Sequence, residues 1–181
     1  MFSVSTEELD LFHSINWVYT SQISDVVMIF LSSPYPWVLA GLYLCYACFF
    51  EKKLTLKFFF LVFIVMGLSD SITHYLVKPF FGRARPCHVV EVVRIIDGCG
   101  GLLGLPSNHA TNSFLLAFIL GLKTSRILLI LFLSIAFMVS YSRIYVGVHY
   151  PSDVLLGLIF ASSYFLIFLG LLKFSPFRAH R

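Results

Sequence analysis

Charged residues are scarce in this sequence, and their scarcity excludes most water-soluble proteins. Only 12% of the 181 residues are Asp, Glu, Lys or Arg, whereas 59% are hydrophobic and the mean hydropathy is +0.89. A soluble domain carries about 25% charged residues. The composition therefore predicts an integral membrane protein, and we expect residues 1–181 to form a single domain.

The N-terminal region lacks the features of a cleavable signal peptide. Residues 1–24 have no basic start and no uninterrupted apolar stretch. Residues 5–22 instead mix apolar and acidic side chains, a pattern typical of an amphipathic helix at the membrane interface. The first true span must then direct the chain to the membrane.

Hydrophobic runs of spanning length make up most of the remaining chain. A bilayer core about 30 Å thick requires a helix of roughly 20 residues. Pro34 and Pro36 interrupt the first run. The pattern predicts an all-α, polytopic membrane bundle with five spans, at residues 26–50, 54–81, 110–122, 127–145 and 154–172, and an outward loop at residues 82–106.

The basic residues predict the orientation, because short cytoplasmic loops hold an excess of Lys and Arg. Five spans divide these residues into two sets of eight and five. The larger set is Lys52, Lys53, Lys57, Lys123, Arg126, Lys173, Arg178 and Arg181, and the smaller is Lys78, Arg83, Arg85, Arg94 and Arg143. We expect the larger set in the cytoplasm and residues 82–106 outside, which in a bacterial inner membrane is the periplasm.

Cysteine is infrequent, with four residues in the chain. Cys45 and Cys48 lie in the first predicted span, whereas Cys87 and Cys99 share the outward loop. Only the second pair would meet an oxidising compartment, so one hypothesis is a disulfide between them. The alternative is two unrelated small apolar residues, because sequence separation does not reveal whether their Cβ atoms can meet.

Three polar clusters, residues 78–86, 106–109 and 142–153, lie at the predicted outward ends of spans, and basic residues occur in the first and third. Lys78, Arg85 and Arg143 offer fixed positive charges, and guanidinium groups match the paired oxygens of a phosphate. The alternative is snorkelling at the membrane edge. Snorkelling explains any one of these residues, but not their coincidence with two histidine clusters.

Those histidine clusters lie before the third and fifth predicted spans. Ser107 or Asn108 can cap the helix of the third span, and the N-terminus of that helix, beside His109, would favour binding of an anion. The alternative is an ordinary helix cap with a surface histidine. His149 and Asp153 are four residues apart, so the carboxylate can hold one imidazole nitrogen and leave the other free to attack. A buried pair with only a structural role is the alternative there.

Two polar residues lie inside the second predicted span. Asp70 and His74 precede Lys78 at successive four-residue steps, which predicts that all three share one helix face. An acid at that depth is costly unless it faces a polar interior. We expect this face to point into the bundle and support the catalytic residues; polar groups that merely satisfy one another are the alternative.

Together, these clusters resemble the signature of the type 2 phosphatidic acid phosphatase family, the membrane branch of the superfamily that includes the vanadium haloperoxidases. The signature has three parts. The first is a Lys followed by six residues and Arg-Pro, and the second is Pro-Ser-Gly-His. The third is Ser-Arg followed by five residues, a His, three residues and an Asp. Residues 78–86 and 142–153 fit it throughout, whereas Asn108 replaces the glycine. The resemblance extends from the second predicted span to the fifth.

The resemblance implies a lipid phosphatase that uses no metal ion and no other cofactor. His149 would be the nucleophile, Asp153 would orient it, and His109 would act first as acid and then as base. The phosphate would be held by Lys78, Arg85, Arg143, Ser107 and the amide of Asn108. Because asparagine tolerates unusual φ values, we expect activity to survive with an altered substrate preference.

The expected partners are a lipid phosphate and the bilayer, with no nucleic acid; the sequence assigns no oligomeric state. The resemblance implies lipid A 1-phosphate, undecaprenyl diphosphate, phosphatidylglycerol phosphate or phosphatidic acid as substrate. The modest outward loop leaves room for a bulky headgroup and favours the first two. Two alternatives belong to other functional classes. One is a non-catalytic lipid-binding or transport protein, which would not need the paired histidines. The other is a vanadate-dependent oxidase, but the relatives that are such oxidases are soluble.

Overall fold

The computed structural model describes residues 4–50 and 55–174. The regular secondary structure of these residues is helical apart from one isolated β-bridge between Ala84 and Leu103, so the predicted all-α architecture is confirmed. Four of the basic residues used to predict the orientation, Lys52, Lys53, Arg178 and Arg181, lie outside the described residues.

The helices follow the hydrophobic segments of the sequence. In chain order they are α1 (Thr6–His13), α2 (Gln22–Ser32), α3 (Tyr35–Phe49), α4 (Leu56–Ile72), α5 (Lys78–Phe81), α6 (Pro86–Val89), α7 (Asn108–Gly121), α8 (Arg126–Tyr145) and α9 (Pro151–Phe174). Two π-helical turns, Ser14–Val18 and Thr73–Val77, extend α1 and join α4 to α5. A Ser or Thr hydroxyl accepts a hydrogen bond from a first-turn N–H at the starts of α1, α2, α4, α7 and α8.

Three helical stretches among the described residues are long and apolar enough to cross a bilayer: Leu56–Phe81, Arg126–Tyr145 and Pro151–Leu172. Helices α2 and α3 make a fourth if the pair is one span bent by 54°. The bend lies at Pro34, which has no N–H with which to continue the α2 hydrogen-bond pattern. Helix α7, with 14 residues, is shorter than a bilayer core requires. The division into five spans stays a prediction.

Helix α7 lies in the middle of the bundle, where it packs against α4, α8 and α9. Its Leu115 and Ile119 side chains are fully buried. Gly157 of α9 permits the close approach, because a Cβ at that position would lie 2.9 Å from the Ala110 Cβ and 3.0 Å from the Ser107 carbonyl oxygen. The starts of α7 and α9 are thereby brought together at one end of the bundle.

Helix α1 packs against the beginning of α9, and the π-helical turn that follows it packs against α8. Phe12 is fully buried, and its ring centroid lies 5.6 Å from that of Tyr150. Trp17 and Tyr19 remain exposed, as expected of aromatic side chains at a membrane interface. One face of the N-terminal segment is thus part of the bundle itself.

The outward loop is fastened to the same end of the bundle. Cys87 and Cys99 form a disulfide in the structure, with their Cα atoms 5.8 Å apart. The buried Lys78 ammonium group donates to the carbonyls of Leu103, Gly104 and Pro106, at 3.2, 3.1 and 2.8 Å. These contacts bring the loop against the ends of α5 and α7.

Candidate active site

A tight turn between α8 and α9 carries His149. Gly147 in this turn has a φ of +86°, which glycine adopts without strain. The N–H groups of Val148 and His149 both donate to the Arg143 carbonyl, at 3.1 and 3.2 Å. The turn therefore fixes His149 beside the C-terminal end of α8.

The buried side chains of His149 and Asp153 are hydrogen-bonded to each other. The distance from Nδ1 of His149 to Oδ2 of Asp153 is 3.1 Å. The same carboxylate oxygen accepts the Tyr150 N–H at 2.9 Å. A carboxylate at Nδ1 favours the tautomer in which that nitrogen carries the proton, so the lone pair lies on Nε2. This arrangement leaves Nε2 of His149 as the nitrogen able to attack.

Positive charge surrounds His149. Burial lowers the pKa of His149 well below its usual value of 6.5, and the nearby charges of Arg85, Lys78 and Arg143 lower it further. The imidazole is therefore neutral at physiological pH, which is the form that a nucleophile requires. The three cations predicted for the phosphate clamp lie close enough together to act on one imidazole.

The three cations differ in how their donors are used. All three N–H groups of Lys78 are engaged by loop carbonyls, so direct phosphate contact requires the exchange of one of these bonds. Arg143 donates through Nη1 to the Ser32 carbonyl at 3.1 Å, and its buried Nε has no hydrogen-bond partner among the described residues. Arg85 donates through Nε to the Leu103 carbonyl in a long bond of 3.4 Å. Arg85 and Arg143 therefore have donors available to an anion.

Ser107 and His109 lie at the start of α7, beside the His149 turn. The Ser107 hydroxyl caps this helix by accepting the Ala110 N–H at 3.4 Å. The His109 ring meets the edge of Trp37 at a centroid distance of 6.2 Å. Trp37, on α3, is a neighbour that the sequence reasoning did not identify, because no local pattern relates it to the motifs.

Asn108, which replaces the family's glycine, binds α4 through its side chain. Its Nδ2 donates to Oδ1 of Asp70 at 2.7 Å, and Nδ2 of Asn112 donates to the same oxygen at 2.8 Å. Asn112 in turn accepts the Ser69 hydroxyl at 2.7 Å. Asp70 therefore contacts the residue next to His109, whereas Asn112 and Ser69 were not identified from the sequence.

Of the three residues predicted to share one face, Asp70, His74 and Lys78, the structure does not place His74 toward the interior of the bundle. Lys78 is buried, whereas Asp70 and His74 are exposed, and the His74 ring contacts its neighbour Tyr75 at a centroid distance of 4.7 Å. Asp70 nevertheless reaches α7, where it accepts hydrogen bonds from Asn108 and Asn112. A π-helical turn, Thr73–Val77, lies between Asp70 and Lys78.

Arg83 is a site residue that the sequence reasoning counted only as a basic residue of the outward side. Its Nε donates to Oδ1 of Asp153 at 3.1 Å, and its Nη2 donates to the same oxygen and to the Ser152 hydroxyl. Arg83 and Arg85 are two residues apart in an extended segment, and alternate side chains of such a segment point to the same face. This spacing is the signal that would have placed Arg83 on the same side as Arg85.

One group of described residues has the donor set of a metal site. The donor atoms of Cys87, His88 and Cys99 lie within 4.8 Å of one another. Both cysteine sulfurs belong to the disulfide, so neither is a thiolate ligand in this state.

Comparisons with known proteins identify relatives of this chain. Residues 58–175 match the PAP2 superfamily. The lipid A 4'-phosphatase of Bacteroides thetaiotaomicron is 36% identical over 116 residues, which cover 61% of this chain and 52% of that protein. The lipid A 4'-phosphatase of Porphyromonas gingivalis is 31% identical over 162 residues, which cover 83% of this chain and 66% of that protein. The chain thus spans between about half and two thirds of the length of these two relatives.

A solved structure shares the fold. The crystal structure of Aquifex aeolicus LpxE is similar with a TM-score of 0.72 and 24% sequence identity, covering 92% of this chain and 96% of that one. The match to the superfamily extends over more than half of the sequence and includes all three motifs around His149. This chain is an integral membrane protein that belongs to the PAP2 superfamily.

Proposed function

We propose that this protein is a lipid phosphate phosphatase of a bacterial inner membrane, with its active site facing the periplasm. The observation that carries the proposal is the buried pair of His149 and Asp153, set among the charges of Lys78, Arg85 and Arg143. A lipid-binding protein needs the cations but has no use for a neutral, carboxylate-oriented imidazole among them.

The first step is attack of His149 Nε2 on phosphorus, in line with the bond to the leaving oxygen. A P–N bond forms while the P–O bond breaks, and His109 donates a proton to the departing oxygen. Burial and the charges of Arg143 and Arg85 lower the pKa of His109 to about 3 in the free site, so the negative charge of the bound phosphate must enable it to hold this proton. The carboxylate of Asp153 stabilises the positive imidazole ring as the phosphohistidine forms.

The second step returns the enzyme to its starting state. His109, now neutral, takes a proton from water, whose oxygen attacks phosphorus and breaks the P–N bond. Arg85 and Arg143, with Lys78 and the start of α7, hold the phosphoryl oxygens throughout. These protein cations supply the positive charge that metal ions supply in other phosphoryl-transfer enzymes, so we expect no metal requirement.

An apolar cavity beside the site supports a lipid as substrate. It has a volume of about 350 Å³ and lies between α3, α7 and α8. Trp37 lines this cavity, and its ring centroid lies 6.2 Å from that of His109, so the apolar cavity lies next to the catalytic histidine. An acyl chain can occupy it while the phosphate stays at the membrane surface.

Among lipids, we propose a phosphate ester of lipid A as the preferred substrate. Support comes from the two relatives named lipid A 4'-phosphatase and from an outward loop of modest size. Undecaprenyl diphosphate, phosphatidylglycerol phosphate and phosphatidic acid are the competing substrates.

The test is release of inorganic phosphate by the purified protein from each of these four lipids in mixed micelles, with excess EDTA present. We expect turnover with lipid A fastest, unaffected by EDTA and inhibited by vanadate, which adopts the five-coordinate geometry of the transition state. No release from any of the four lipids would contradict the proposed activity. Loss of activity in EDTA that magnesium restores would contradict the chemistry.

A further inference from the structure

A continuous set of polar contacts links α1 to His149. Asp153 uses Oδ2 for the Nδ1 of His149, and its other oxygen, Oδ1, accepts Arg83 through both Nε and Nη2. Arg83 Nη2 also donates to the Ser152 hydroxyl at 2.7 Å, and Arg83 Nη1 lies 3.8 Å from Oε2 of Glu8. Glu8 belongs to α1, so this helix takes part in the contacts around the catalytic pair.

Arg83 does not resemble Arg85 or Arg143 in its environment. Its side chain is only 7% exposed, and its guanidinium lies 5.1 Å from the ring centroid of Tyr150. Each of its three nitrogens faces a carboxylate or a hydroxyl of the protein. Three of its five N–H groups are donated to Asp153 and Ser152, and Nη1 faces the Glu8 carboxylate, so Arg83 is directed at protein groups and is not a fourth member of the clamp.

Glu8 makes two contacts at the start of α9. Its Oε1 accepts the Ser152 N–H at 2.8 Å and also the Ser152 hydroxyl. A carboxylate at a helix N-terminus satisfies a free N–H group and interacts favourably with the helix dipole. Glu8 thus fixes both Arg83 and the first turn of α9, in which Asp153 lies.

We infer that Arg83 and Glu8 are positioning residues, which hold the Asp153 carboxylate so that His149 presents Nε2 to the phosphate. The physical reason is the burial of Asp153, which is fully enclosed. A buried carboxylate needs a charged partner to remain ionised, and with His149 and the Tyr150 N–H both bound at Oδ2, the buried Oδ1 would lack its Arg83 donors if Arg83 were removed. Arg83 provides the charge and fixes Oδ1, so that Oδ2 stays directed at His149. This inference rests on the proposed role of His149.

The experiment compares Arg83→Gln, Arg83→Lys and Asp153→Asn, singly and as the double variant Arg83→Gln/Asp153→Asn. We expect Arg83→Gln to lower kcat by about 10- to 100-fold, as is usual for groups that orient a catalytic ligand. KM should change less than about threefold, because the residues that bind the phosphate are intact. Arg83→Lys should recover part of the loss. In the Asp153→Asn background, Arg83→Gln should have little further effect, because both changes break the same contact.

Arg94 provides a matched control on the same side of the protein. It also pairs with a carboxylate, that of Asp25, and also lies over a tyrosine ring, that of Tyr145. Arg94→Gln should leave kcat within about twofold of the parent, as expected of a partly exposed ion pair. On α1, Glu8→Gln should lower kcat, whereas the exposed neighbour Glu7 should tolerate the same change.

Three results would overturn the inference: a kcat of Arg83→Gln equal to the parent's, equal losses from Arg83→Gln and Arg94→Gln, or full additivity with Asp153→Asn. If Arg83→Gln fails to fold, the Glu8→Gln variant decides, and unchanged kcat in that variant has the same meaning. Failure of the proposed function is a separate result, namely undiminished turnover by His149→Ala.

Discussion

The backbone N–H of Ser107 donates to the Asp153 carbonyl at 3.0 Å. This bond joins the residue that begins α7 to the first turn of α9, although the two lie far apart in sequence. His109 and His149 are thereby held at neighbouring helix ends. The relative position of the acid and the nucleophile thus depends on close packing between α7 and α9.

Gly157 is the residue on which that packing depends most. We predict that Gly157→Ala lowers both the melting temperature and kcat, because the added Cβ would lie 2.9 Å from the Ala110 Cβ and 3.0 Å from the Ser107 carbonyl. Gly170 is the control on the same helix, since a Cβ there meets nothing within 4 Å. Gly170→Ala should be neutral or stabilising by up to about 1 kcal/mol. Equal behaviour of the two variants in thermal unfolding and phosphate release would contradict this account.

The pH dependence should report the environment of His149. Because burial and then Arg85 lower the pKa of this histidine, the wild-type enzyme should keep its nucleophile neutral until the pH falls well below 6.5. In Arg85→Gln the loss of one positive charge makes protonation easier, so the acidic limb of the kcat/KM profile should move to higher pH. The measurement is kcat/KM against pH for both proteins. An acidic limb at 6.5 or above in the wild type would contradict the environment described here.

Asn108 should affect which lipid is preferred more than whether catalysis occurs. Its side chain binds Asp70 at 2.7 Å beside the catalytic His109. Asn108→Gly restores the family's residue, removes this contact and widens the pocket, so we predict retained turnover with a changed ratio of kcat/KM between lipid A and phosphatidic acid. Asp70→Asn is the companion variant, which weakens the same bond and should change the ratio in the same direction. An unchanged ratio in both variants would show that this pair does not affect selectivity.

The orientation and the disulfide can be tested together. In a variant that lacks Cys45 and Cys48, a membrane-impermeant thiol reagent applied to intact cells should label Cys87 and Cys99 only after reduction. Labelling without reduction would support the orientation but contradict the bond. No labelling until the membrane is broken would show that residues 82–106 face the cytoplasm.

The sequence was sufficient to predict those parts of the site that depend on local spacing. His149 and Asp153 pair at a helical interval of four, and Ser107 caps α7, because both relations arise within one helical turn. The pairing of Arg83 with Asp153 spans 70 residues, and that of Glu8 with Ser152 spans 144. Such contacts arise from tertiary packing, which no local pattern encodes.

The inward face proposed for the second span includes one residue that the structure places elsewhere. Asp70 binds α7 and Lys78 reaches the loop carbonyls, whereas His74 is exposed. A π-helical turn, Thr73–Val77, lies between Asp70 and Lys78. Periodicity alone does not predict where a helix changes its number of residues per turn.

The most direct test of the central claim is to identify the residue that carries phosphate during turnover. The His109→Ala variant is mixed with an aryl phosphate as substrate, because an aryl leaving group needs no general acid. The reaction is quenched rapidly, and the peptides of the protein are analysed by mass spectrometry. The His109→Ala variant should accumulate a phosphoryl group on His149, because no base is left to activate the water that hydrolyses the phosphohistidine. The double variant His109→Ala/His149→Ala should carry no phosphoryl group. A phosphoryl group on any other residue, or phosphate release with no phosphohistidine at any time, would contradict the mechanism.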